Sequence, residues 1–241
     1  AIIITSDKCY EDVEWLWGYK ETDYLGGKDI YSGSKGAAEI IFKSYYHSFF
    51  KDPKKSNVRV ASVRAGNVIG GGDWADYRIV PDCIRAWVNN KSVEIRNPNA
   101  TRPWQHVLEP LSGYLNLANE LEKNIHFNGE SFNFGPNSES SKTVKNLLDD
   151  LSSYWNLEHT PSIHPDEITR FHEAGLLKLN CDKSLFHLKW LPTLNYEQLI
   201  EFTGTWYFNY YKERVNMFDY TAFQIDEYED IAFKKEIEWA R

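Results

Sequence analysis

An α/β fold built around a parallel sheet is the architecture this sequence predicts, on two observations. Strand-like segments alternate with amphipathic helical ones, the rhythm of parallel strands joined by helical crossovers. The chain also opens on Ala1-Ile2-Ile3-Ile4, a run typical of strands covered on both faces inside such a sheet.

The elements justify themselves in turn. Ala1–Ile4 is expected to be a fully buried strand, and the chain leaves it at Thr5-Ser6-Asp7-Lys8-Cys9-Tyr10 for an aromatic, charged loop that runs through Gly27. A helix is predicted from about Tyr31 to Phe50, where Ala37, Ala38, Ile40, Ile41, Phe42, Tyr45 and Phe49 give a broad apolar stripe. The β-branched run Val58–Arg64 is a strand, and it ends in the glycine-rich loop 65–73. A short helix Val80–Asn89 and a strand Val93–Arg96 follow, and Thr101–Gln105 reads as loop. His106–Leu121 is a helix with Leu108, Leu111, Leu115 and Leu117 turned inward, and Ser131–Phe134 is a strand stopped by Gly135-Pro136. Val144–Trp155 is an amphipathic helix with Ser141 and Thr143 as candidate caps. Cys181–Leu188 and Tyr196–Arg214 complete the helices, and the acidic, weakly periodic tail from Met217 reads as an arm or an oligomer contact.

Composition narrows the function classes. The 241 residues include nine Trp, fifteen Tyr and thirteen Phe, enough aromatic mass for a sizeable core in one unit or two small lobes. A net charge of −8 argues against a general nucleic-acid or anionic-membrane surface. Cys9, Cys83 and Cys181 form no CxxC and describe neither a disulfide framework nor a zinc site, which favours a reducing compartment. His106, His164 and His172 have no metal-ligand spacing and read as loop or helix-surface residues, so no metal is expected. The longest apolar run, Ala1–Ile4, is far too short for a membrane span, and a cytoplasmic setting is the default.

Three groups of residues can carry chemistry. Tyr31 and Lys35, at i and i+4 in YSGSK, share one helix face. A neighbouring cation favours a phenolate, which can take a proton from an alcohol as hydride leaves its carbon. Tyr24 and Lys28 make a second YxxxK, but glycines follow Tyr24, whereas Tyr31 opens a helix whose Gly33 and Gly36 allow close approach. Ser6, Asp7 and Lys8 fall at the carboxyl end of a parallel strand, where open α/β sheets bind ligands. Alone, that cluster is equally a solvated turn. Asn67 stands at the same end of the sheet beside Gly70, Gly71 and Gly72 and suits a sugar or phosphate oxygen, while Arg78 and Arg102 are candidate pyrophosphate clamps.

The ordered segments TSDKCY, YSGSK, RAGNVIGGGDWADYRIVPD, RPWQHVLEPLSGYL, FNFGP, HEAGLLKLN and LKWLP resemble the CDP-glucose 4,6-dehydratases, members of the extended short-chain dehydrogenase/reductase superfamily. The resemblance reaches to about Tyr220. It implies a partial Rossmann-type parallel sheet (1–66 and 105–136), a smaller mixed α/β lobe for the nucleotide sugar (67–104 and 137–220) and a tail (221–241). It further implies NAD as cofactor, Tyr31 as base, and Lys35 as the residue that tunes Tyr31 and holds the nicotinamide ribose. Ser6 matches the hydroxyl that bonds the C4 oxygen, Asp7 the acid that protonates the departing C6 hydroxyl, and Lys8 a position where related dehydratases carry a Glu base. Asn67, Arg78, Arg102 and Asn133 match substrate-contacting positions. A homodimer formed partly by helix 31–50 is also implied.

No GxxGxxG fingerprint opens the sequence, whereas in the family that segment precedes TSDKCY and spans on the order of 100 residues. The chain is therefore expected to be the C-terminal part of a longer protein and unable to bind NAD alone. A nucleotide-sugar 4-epimerase on the same fold is the rival enzyme; it needs Tyr31 and Lys35 but not Asp7 and Lys8. A non-catalytic nucleotide-sugar-binding remnant is the rival from another class.

Overall fold

The computed structural model describes residues 1–95, 97–136, 141–155, 163–165 and 177–241. Strand β1 (Ile2–Ile4) runs into a single 3-10 turn, Asp7–Cys9, capped by the Ser6 hydroxyl, which accepts from the Lys8 N–H. Helix α1 (Ile30–Tyr45) starts at Asp29, whose carboxylate takes the Ser32 N–H at 3.0 Å and its hydroxyl at 2.6 Å, satisfying donors that the first helical turn leaves orphaned. Then come β2 (Ala61–Ala65), β3 (Val68–Ile69), α2 (Ile79–Val88), β4 (Val93–Ile95), β5 (Thr101–Pro103), β6 (Gln105–His106), α3 (Leu108–Lys123) and β7 (Ser131–Phe134). The rest of the chain forms β8 (Ser141–Thr143), α4 (Val144–Ser152), β9 (Ile163–Pro165), α5 (Asp182–Leu188), α6 (Tyr196–Phe208) and α7 (Met217–Lys234).

β1, β2 and β7 make one parallel sheet in that order, with Ile2 opposite Ala61 and Ser62 opposite Ser131. Three short ribbons accompany it: β3 with β6 and β4 with β9 in parallel, β5 with β8 antiparallel. The α/β class with a parallel sheet is as predicted. Buried apolar residues gather in three clusters. One lies between β2, β7, α3 and Trp190, and one joins α2, α4 and α6. The third is small and packs Cys9, Tyr10 and Tyr19 against Leu177 and Leu179.

Several expectations are corrected. β1 is an edge strand among the described residues, with Ile4 60% exposed, because it pairs with β2 alone. Thr101–Gln105 is not simply loop, and His106 closes β6 rather than opening α3: β5 finds its partner about 40 positions away in β8, a pairing with no local signal. Of the inward leucines assigned to α3, Leu117 is fully buried, whereas Leu111 is exposed and Leu115 is 72% exposed; Leu121 completes the buried side instead. On α1 only Phe42 of the apolar stripe is buried, and Ile40, Ile41, Tyr45 and Phe49 face outward. The tail is an 18-residue helix, α7, seated on the body by Gln224, Tyr228 and Ala232, a narrow i, i+4, i+8 seam. Arg96 and His172 lie outside the described residues, and so does much of the stretch 137–176 assigned to the smaller lobe.

Candidate active site

The carboxyl ends of β1 and β2 open onto a cavity of about 570 Å³, a size suited to a small organic ligand. Ser6, Asp7, Lys8, Tyr31, Asn67 and Arg78 all line it. These six residues come from the turn after β1, the first turn of α1, the β2–β3 junction and the residue that precedes α2, so four separate segments converge there. Asn67 is held in the left-handed region at φ 50°, a conformation asparagine tolerates better than most residues. Arg78 reaches back to Asp73 at 3.1 Å, an exposed pair.

Asp7 is the most constrained member. It is 4% exposed and accepts from the Ser6 hydroxyl at 2.9 Å. Burial pushes its carboxyl above the usual range, against the lowering effects of the Ser6 hydroxyl, the Lys8 and Arg102 charges and the Lys8 N–H. Gly66 makes this possible: a Cβ there would stand 1.9 Å from Asp7 Oδ2. Tyr31, by contrast, is 56% exposed. Lys35 lies one helical turn on, its ammonium 5.5 Å from the centre of the Tyr31 ring. Gly36 lets α1 approach the turn, since its Cβ would lie 3.3 Å from the Cys9 carbonyl oxygen; around Gly33 there is open space. Tyr24, the other YxxxK tyrosine, stands in the loop and is exposed.

Two assigned residues are placed elsewhere. Arg102 is buried on β5 and does not line the cavity, although its charge reaches Asp7. Asn133 is wholly buried, with its amide spent on internal bonds: it donates to the Tyr19 and Asn180 carbonyls and accepts from the Tyr10 hydroxyl at 2.7 Å. His106 is not a surface residue. It is buried on β6 with its ring edge-on to Phe202, and desolvation takes its imidazole down to about 4.

Sequence reasoning missed three contributors. Trp104 and Tyr114 share the cavity wall with Thr5 of the strand-end cluster. Gln105 fastens the strand ends beneath it, donating to the Gly66 and Phe134 carbonyls at 3.1 Å each. None of these three carried a local signal.

Comparison with known proteins identifies the class. No family model matches the chain. The fold is shared with the dTDP-glucose 4,6-dehydratase of Bacillus anthracis, solved with NAD, at a TM-score of 0.70 and 20% identity over 88% of this chain and 62% of that one. The dTDP-glucose 4,6-dehydratase of Streptomyces venezuelae gives 0.71 and 15% over 86% and 59%. The UDP-glucuronic acid 4-epimerase of Bacillus cereus gives 0.69 and 18% over 89% and 62%. In fold the chain is similar to sugar-nucleotide dehydratases and epimerases of the extended short-chain dehydrogenase/reductase superfamily. Within that class it is 47% identical over 194 residues to the CDP-glucose 4,6-dehydratase of Salmonella typhimurium, a match that takes in 80% of this chain and 54% of the relative. The chain thus spans about half the length of the curated relative it matches.

Proposed function

We propose that these residues form the substrate-facing part of a CDP-glucose 4,6-dehydratase, converting CDP-glucose to CDP-4-keto-6-deoxyglucose and water. The observation that carries the reading is Asp7: a carboxyl kept dry and biased toward its protonated form on the same cavity wall as an exposed tyrosine. An elimination needs such an acid, and an epimerisation at C4 does not.

Tyr31 accepts the C4 hydroxyl proton while the Ser6 O–H, which points to Asp7 in the free site, turns to donate to the same oxygen. NAD⁺, when bound, supplies hydride uptake from C4 and its return at C6. The residues present fit the nicotinamide-ribose end of that cofactor, because Tyr31 and Lys35 stand one turn apart with the phenol open to the cavity. Once C4 is a ketone the C5 proton is acidic, and Lys8 stands on this wall at the position of the base; a neutral amine there, not the ammonium, would accept that proton. Asp7 delivers its proton to the departing C6 hydroxyl. Asn67 and Arg78 hold the sugar and the diphosphate, while the charge of Arg102, buried on β5, is felt at Asp7.

The sheet side of the molecule is read as the cofactor lobe and the part around α2, α4 and α6 as the nucleotide-sugar lobe. The outward apolar residues of α1 are read as a contact between two copies of the protein. Among the described residues no helix is long and apolar enough to cross a membrane, and the three cysteines are unpaired, in keeping with a cytoplasmic setting. The test is turnover of CDP-glucose with NAD⁺ by the protein carrying these residues, with water loss read by mass. Tyr31→Phe is expected to abolish turnover, and Asp7→Asn to abolish water loss. A C4-inverted product that has lost no water favours the epimerase, and binding without turnover favours the remnant.

A further inference from the structure

The Glu39–Arg64 ion pair lies outside the cavity and has no part in the proposed chemistry, yet it joins β2, α1 and both ends of the turn after β1. Both side chains are fully buried. The pairing is two-pronged: Arg64 Nε donates to Glu39 Oε1 at 3.0 Å and Nη2 to Oε2 at 2.8 Å. Glu39 stands on α1 eight residues after Tyr31, two turns along the same helix, and Arg64 is on β2.

What the pair holds beyond itself is the turn that carries Ser6, Asp7 and Lys8. At one end of that turn the Thr5 hydroxyl donates to Glu39 Oε1 at 2.5 Å. At the other, Arg64 Nη1 donates to the Tyr10 hydroxyl at 2.7 Å, and the guanidinium stacks 4.8 Å from the Tyr10 ring centre. Tyr10 in turn donates to Asn133 on β7, which ties in Tyr19 and Asn180. Burial alone would raise the Glu39 carboxyl, but the Arg64 bonds and charge and the Thr5 and Ser62 hydroxyls hold it below the usual range.

We infer that Glu39 and Arg64 are positioning residues: each half of the pair grips one end of the 5–10 segment, and Glu39 fixes that segment against the helix that presents Tyr31. The inference rests on the proposed function for its catalytic meaning, while the grip itself is measurable without it. A buried pair of this kind is not needed for stability as such, because well-packed apolar side chains often replace one without loss. Its polar neighbours also keep partners when it is gone. Ser62 bonds Ser131 at 2.7 Å, Thr5 reaches the Val63 carbonyl at 3.2 Å, and Tyr10 keeps Asn133.

The test is the double substitution Glu39→Met with Arg64→Met, which removes one charge of each sign, in the 241-residue chain. The readouts are the Asp7 carboxyl titration by NMR, assigned with Asp7→Asn, and hydrogen exchange at the Lys8 and Cys9 amides. The expected result is a folded protein in which the elevation of Asp7 is lost and those two amides exchange faster. A folded double variant with unchanged Asp7 titration and unchanged exchange overturns the inference. Should that variant not fold, Thr5→Val with Tyr10→Leu, which removes both the hydroxyl and the ring under the guanidinium, cuts both grips and leaves the ion pair intact, and the same two outcomes decide. In the active protein the Met pair should lower kcat on the order of a hundredfold with little change in KM. Absence of water loss in the wild type would sink the proposed function and leave the titration result standing.

Discussion

Replacing Glu109 with Gln should make the protein's stability less dependent on pH, in a direction the structure fixes. Glu109 sits in the first turn of α3, 2% exposed, and its carboxyl holds the chain after α5 and the helix α7 to the body. It accepts from the Thr193 N–H at 2.9 Å, the Leu194 N–H at 2.6 Å and the Tyr228 hydroxyl at 3.1 Å. Burial outweighs those donors and the nearby Lys235 charge, and raises the carboxyl from 4.5 to about 7. The folded state therefore binds a proton that the unfolded state has released between these two values. The resulting stability is full below about pH 4.5 and is lost as pH rises through about 7. A shift of this size is worth roughly 3 kcal/mol, or about 6–12 °C in Tm for a chain of this length. Glu109→Gln cannot ionise but also misplaces one acceptor, a constant penalty at every pH. The diagnostic quantity is thus the change with pH of the difference in Tm between the two proteins, read by calorimetry from pH 4 to 8. The variant should gain on the wild type across pH 4.5–7 and hold level above. A difference that stays flat, or a wild type that gains as pH rises, would refute the reasoning and mean that the three donors, not burial, set the state of Glu109.

Two further outcomes follow from the same geometry. Gly66→Ala places a methyl against the Asp7 carboxyl, so Asp7 must swing out toward water; its titration by NMR should move down toward the ordinary carboxylate range, with turnover lost and Tm lowered by only a few degrees. His106, neutral until about pH 4, contributes stability that is full above about 6.5 and lost as pH falls through about 4; its ring-proton resonance should titrate near 4, and a midpoint near 6.5 would contradict its burial.

What could be read from the sequence is what has local causes. The strand-end position of Ser6–Lys8 and the helical setting of Tyr31–Lys35 depend on a few adjacent residues, and both stand as expected. Asn133 shows the limit. The family resemblance makes it a substrate contact, but whether its amide is free depends on Tyr10, Tyr19 and Asn180, residues up to 123 positions away. The Glu39–Arg64 pair is silent for the same reason, since a glutamate on a helix and an arginine on a strand carry no mark of facing each other. α7 was misread because its seam includes Gln224, which satisfies the Phe202 carbonyl at 2.9 Å, while Phe218, Phe223 and Phe233 point outward. A stripe that inverts the usual polarity defeats hydropathy patterning.

The proposed reaction asks two opposite things of one small region. A base that takes a proton from a sugar hydroxyl must be open to it, and an acid biased toward its protonated form must be shut away from water. Tyr31 and Asp7 meet these needs on one cavity wall because they sit on elements with different freedom to bury side chains. A residue in the first turn of a helix projects from a free end. A residue in a tight turn at a strand end is enclosed by the neighbouring strand, provided that strand carries no side chain where the carboxyl must lie. Gly66 meets that condition, Gly36 lets the helix close on the turn, and the buried ion pair joins the two. In this reading the separation of dehydration from epimerisation lies less in the identity of the tyrosine–lysine pair, which the rival chemistry also requires, than in how dry the neighbouring strand end keeps a single carboxyl.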